Sequence, residues 1–105
     1  MLLRTVRMTF RPDRLDEFLD GVFRPSAPHI RAFPGCRHLA LWRDARFPNV
    51  LTTFSHWESP EALERYRTSE LFRSTWARTT PLFAAAPEAH SQYEVETIAV
   101  GEGEG

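Results

Sequence analysis

Phe54-Ser-His-Trp-Glu-Ser-Pro-Glu-Ala-Leu63 joins an apolar strand directly to a capped helix and leaves a tryptophan at the junction. Upstream, Val50 to Trp57 is rich in β-branched and aromatic residues, the composition of a strand. Downstream, Ser59 is placed to cap a helix that begins at Pro60, because the proline ring pre-sets φ and its missing N–H has no partner to lose there. Trp57 has two readings: an aromatic that seals the core at a layer edge, or one wall of a ligand pocket.

Working outward, Leu2 to Phe10 alternates as a first strand, with Arg4 interrupting its apolar face. Pro12 opens a helix in which Leu15, Phe18, Leu19, Val22 and Phe23 form one apolar stripe. Pro25 and Pro28 predict a break near Arg24 and a second short helical piece through Ile30 to Phe33. After the Pro34-Gly35 turn, Cys36 to Arg43 and Val50 to Trp57 read as a hairpin around a loop containing Pro48. Ala62, Leu63 and Tyr66 make the apolar face of the next helix. Ser69 caps another, running through Leu71, Phe72 and Trp76 to Leu82 and bent by Pro81. Tyr93 to Val100 is expected as the fourth strand, and residues 101–105 as a frayed tail.

The order βαββαβ defines an α+β, ferredoxin-like domain over residues 1–100: a four-stranded antiparallel sheet with its helices on one face. The other face carries Thr5, Arg7 and Thr9 from strand one and Thr52, Phe54 and His56 from strand three. That mixture is too apolar for bulk water and too polar for a core. A homodimer packed sheet against sheet would bury it.

Composition excludes several function classes. A net charge of −1 leaves no electrostatic footprint for nucleic acid or an anionic membrane surface. The single cysteine, Cys36, rules out an intrachain disulfide framework and points to a reducing cytoplasm. The apolar start, Met1-Leu-Leu, is broken by Arg4 and Arg7, against a signal peptide, and no stretch approaches the ~20 apolar residues of a membrane span.

Phe33-Pro34-Gly35-Cys36, Phe54-Ser-His-Trp57-Glu-Ser, Glu61-Ala-Leu63 and Ser69-Glu-Leu-Phe72, in this order and spacing, resemble the antibiotic biosynthesis monooxygenase family of dimeric α+β barrels over roughly residues 2 to 100. The resemblance implies a barrel formed across a dimer and a pocket in each protomer between sheet and helices. It also implies positions to compare. Haem-degrading relatives carry an Asn on strand one, a Trp closing strand three and a His ligand on the last helix, which fall here on Val6, Trp57 and Trp76. Valine and indole cannot serve an iron centre, so haem breakdown is disfavoured. Quinol-oxidising relatives share the Trp and place an Asn four residues ahead of it, where this chain has Thr53.

Residue by residue, the functional readings compete with plainer ones. His29, His38, His56 and His90 show no metal-ligand spacing, and no metal site is expected. His29, beside Pro28, is a weak candidate for a catalytic base. His38 and His56 can meet across the hairpin, sharing a hydrogen bond at the dimer face. Arg65, Arg67, Arg73 and Arg78 could clamp an acidic substrate or simply solvate a helix. The leading expectation is a cofactor-independent monooxygenase acting with dioxygen on an aromatic or polyphenolic small molecule. Trp57, Trp76, Phe72, Val6 and Met8 would wall its pocket, and Thr53 and Ser55 would supply hydroxyls. The alternative is a non-catalytic dimeric binding or accessory module, which predicts a filled interior at Trp57. Haem binding is a third and weaker reading.

Overall fold

Alternating side chains on β1 (Leu2–Thr9) send Leu2, Val6 and Met8 to one face, and the rest of the chain is assembled over that face. The computed structural model describes residues 1–101. β1 is central, paired antiparallel with β3 (Val50–Trp57) on one side and β4 (Glu88–Tyr93) on the other. β2 (Cys36–Arg43) completes the sheet in the order β2-β3-β1-β4. With α1 (Leu15–Phe18), α2 (Arg24–Arg31), α3 (Pro60–Arg67) and α4 (Glu70–Thr79) over it, this is the expected ferredoxin-like α+β arrangement.

The hairpin and both serine caps form as their residues dictate. Ser59 Oγ accepts from the Ala62 N–H at 3.1 Å with Pro60 in the first turn, and Ser69 Oγ accepts from the Phe72 N–H at 3.2 Å. Beyond α4, Pro81 lies in a 3₁₀ turn, Thr80–Leu82, rather than extending the helix.

The first helical region departs from expectation. Pro25 and Pro28 do not break it near Arg24, and no separate piece forms at Ile30 to Phe33. A π turn, Leu19–Phe23, runs straight into α2, with Pro25 in its first turn and Pro28 inside it. The wider turn accommodates the lost donor. Pro25 has no N–H for the Gly21 carbonyl, which instead accepts from Arg78 of α4 at 3.4 Å.

The fourth strand is also displaced. It lies at Glu88–Tyr93, not Tyr93 to Val100. Val95, Ile98 and Val100, the alternation that suggested a strand, are 96 %, 80 % and 77 % exposed. β4 is an edge strand whose residues are all exposed, so it carries no hydrophobic signature. Of the expected frayed tail, residues 102–105 lie outside the described residues.

The core falls into two clusters. Met8, Phe10, Phe18, Val22, Leu51 and Leu82 pack under the first helical region, and Leu2, Cys36, Trp57, Ala62 and Leu63 pack under α3. On the opposite face, Trp42 stacks on Phe54 at 4.5 Å. His38 and His56 sit 4.9 Å apart with no hydrogen bond between them among the described residues. No helix among the described residues is long and apolar enough to cross a membrane.

Candidate active site between sheet and helices

Where the two core clusters fail to meet, a cavity of about 310 Å³ opens between the sheet and the helices, lined by Met8 and Phe18 from one cluster and Trp57 and Leu63 from the other. Its sheet floor includes Val6, Met8, Thr53 and Ser55, the inward-facing residues of β1 and β3. Its wall is an unbroken run of rings: Trp57 stacked on Tyr66 at 5.0 Å, Tyr66 edge-on to Phe72 at 5.3 Å, and Phe72 stacked on Trp76 at 5.8 Å. Such rings offer faces for another aromatic at 4.5–7 Å centroid spacing.

The capped strand-to-helix junction creates this wall. β3 ends with Trp57 pointing inward, and α3 returns Tyr66 over it. Ser69 then turns the chain so that Phe72 and Trp76, one helical turn apart, continue the line. Trp57 is 1 % exposed and its Nε1 donates to Ser55 Oγ at 2.9 Å. It is therefore at once a packed core residue and a cavity wall. A cavity lies beside it in place of the filled interior expected of a purely packed accessory module, and a ligand-binding one remains compatible with it.

Polar groups are few. Thr75 Oγ1 is buried in the lining with no hydrogen-bond partner among the described residues. Burial, with a smaller contribution from Cys36, pushes the Tyr66 phenol up to about 12, so at neutral pH it stays protonated and has an O–H to donate. Burial likewise raises the Cys36 thiol, outweighing its contact with the His38 carbonyl and the charge of Arg31. Among the described residues, the lining holds no carboxylate and no imidazole.

All seven pocket residues named from the sequence, Trp57, Trp76, Thr53, Ser55, Phe72, Val6 and Met8, line this cavity. His29 does not: it is exposed on α2. No group of three His, Cys, Asp or Glu side chains among the described residues could hold a metal ion. Sequence reasoning missed Tyr66 as a wall and Arg4 as a lining residue. Arg4 sits at an inward position of β1 between Leu2 and Val6, and that placement was the available signal.

Residues 1–78 match the family described as antibiotic biosynthesis monooxygenase. The chain belongs to the antibiotic biosynthesis monooxygenase family. No curated protein sequence matches it. Solved structures do. One, a crystal structure of an antibiotic biosynthesis monooxygenase, is 19 % identical with a TM-score of 0.85, covering 91 % of this chain and all of that one. Rv0793 from Mycobacterium tuberculosis is 21 % identical with a TM-score of 0.83, covering 93 % of this chain and 98 % of its own. PA3566 from Pseudomonas aeruginosa, also 21 % identical, has a TM-score of 0.77 and coverage of 90 % and 94 %. At these identities the structural likeness speaks for the fold of this family member.

Proposed function

We propose that this family member is a cofactor-independent monooxygenase that oxidises an aromatic, polyphenolic small molecule with dioxygen. The supporting observation is the cavity walled by Trp57, Tyr66, Phe72 and Trp76, whose volume and ring faces suit a fused aromatic. In the simplest case a ring CH₂, as in the keto form of an anthrol, becomes a carbonyl. One oxygen atom of O₂ enters the ring, the other leaves as water with the two hydrogens, and all four electrons come from the substrate. Reaction begins from the ionised phenol. Because the lining offers no carboxylate or imidazole, the proton passes to solvent, and the rate should rise with pH toward the substrate's own pKa. The hydroxyls of Thr53 and Thr75 and the Tyr66 phenol orient the substrate oxygens.

We further propose that the protein works as a homodimer joined through the open sheet face, where Trp42 is 49 % exposed and Phe54 forms an aromatic patch with His38 and His56. The lone cysteine suits a cytoplasmic setting. The missing base also favours a second reading, a ligand-binding accessory module. Oxygen uptake by chelator-treated protein with anthrols, quinols and catechols separates the two: uptake supports the oxygenase, and inertness toward all three leaves binding alone.

A further inference from the structure

Two guanidinium groups reach a cavity whose other polar side chains are all hydroxyl-bearing. Arg4 projects from β1 toward the helix side, between Ser55 on β3 and Ser91 on β4 in the strand register, and Arg67 comes from the last turn of α3. Arg4 is half-buried, and its guanidinium bonds a neutral partner: Nη1 donates to Ser91 Oγ at 3.0 Å. No carboxylate among the described residues forms an ion pair with it. Arg67 has only an exposed pair with Glu64 at 3.4 Å, a contact of the kind that solvent screens heavily. Burial, and secondarily the positive charge of Arg67, disfavours the charged form of Arg4. An anion bound between them would offset the like charges of Arg4 and Arg67. Some arginines elsewhere pair locally with carboxylates, as Arg14 does with Glu17 and Arg73 with Glu70; what sets Arg4 apart is its place in the cavity lining.

We propose that Arg4, assisted by Arg67, forms an anion subsite at the polar end of the cavity, so that the ligand is an aromatic acid: a fused-ring body against the Trp57 to Trp76 wall and a carboxylate on the Arg4 guanidinium. This rests on the aromatic-pocket reading above and narrows it to a substrate class. The guanidinium fork accepts a carboxylate through two parallel N–H donors, which a neutral ring substituent cannot match.

The test compares anthraquinone-2-carboxylate with its primary carboxamide, followed by quenching of tryptophan fluorescence in a Trp42→Phe background, so that only Trp57 and Trp76 report. The carboxylate should bind about tenfold or more tighter than the amide, a difference expected of one charge-assisted contact. Arg4→Gln should weaken acid binding about tenfold or more and so reduce that preference to near parity, and added salt should weaken the acid more than the amide. Equal binding of acid and amide by the unaltered chain, or a preference that survives Arg4→Gln, overturns the subsite and leaves the aromatic pocket standing. Failure of both ligands to bind overturns the subsite and the pocket together. Melting temperatures of the variants establish that each is folded.

Discussion

Trp57 shows how one side chain serves packing and the site together. Its indole is enclosed by Phe33 and Tyr66, its N–H is satisfied by Ser55, and one surface still borders the cavity. The two readings of this residue available from the sequence were therefore not alternatives. His56 behaves differently. Its Nε2 is buried without a hydrogen-bond partner among the described residues, and burial first, then the charge of His38, holds its pKa below the ordinary value of about 6.5. The sign follows from proton binding. Between the lowered folded value and about 6.5 the unfolded chain takes up the proton and the folded chain does not, so stability falls as pH drops through that window and is unaffected above it. Urea midpoints measured from pH 7.5 downward should show this decline, and His56→Gln should flatten it. An unchanged slope in His56→Gln would assign the decline to other groups.

At the scale of elements, the approach of the β2 start to α3 depends on a bare backbone. Gly35 has φ +91°, and a Cβ there would lie 2.5 Å from the Cβ of fully buried Ala62. Gly35→Ala combines a left-handed backbone strain with overpacking, and should cost about 1–3 kcal/mol in urea denaturation. A loss below about 0.5 kcal/mol would mean that α3 can move aside. Elements with local chemical signals were legible from sequence: Ser59 and Ser69 as caps, the apolar stripe from Leu15 to Phe23, and the hairpin strands. Elements set by distant partners were not. Pro25 is tolerated because a π turn precedes it and Arg78 takes the orphaned carbonyl of Gly21, a solution invisible along the chain. β4 hid because an exposed edge strand is chosen by its pairing with β1, from Leu2↔Tyr93 to Arg7↔Glu88, and needs no apolar alternation of its own. The cavity floor could be inferred from period-two facing on β1 and β3, whereas Arg4, read as an interruption of that pattern, proved to be part of it.

For the whole molecule, the radius of gyration is 15.4 Å, against about 13 Å for a compact chain of this length. The exposed segment after β4 contributes to that reach, with Val95, Ile98 and Val100 out in solvent. The proposed dimer would cover the exposed ring of Trp42 on the open sheet face. Light scattering should give twice the 12.1 kDa chain mass, and Trp42→Glu, by placing a charge on the stacked Trp42 and Phe54 rings, should return the monomer mass with the fold retained. A monomeric wild-type chain would contradict the dimer. The cavity lies on the other side of the sheet, so its chemistry is tested separately. The most direct measurement is dioxygen uptake by chelator-treated protein with an anthrol, compared between the wild-type chain and Val6→Trp, which fills the cavity floor. The account predicts that the wild type consumes one dioxygen per substrate oxidised to the quinone, and that Val6→Trp, still folded by circular dichroism, is slowed about tenfold or more. No uptake by the wild type, or equal rates in the two proteins, would contradict it.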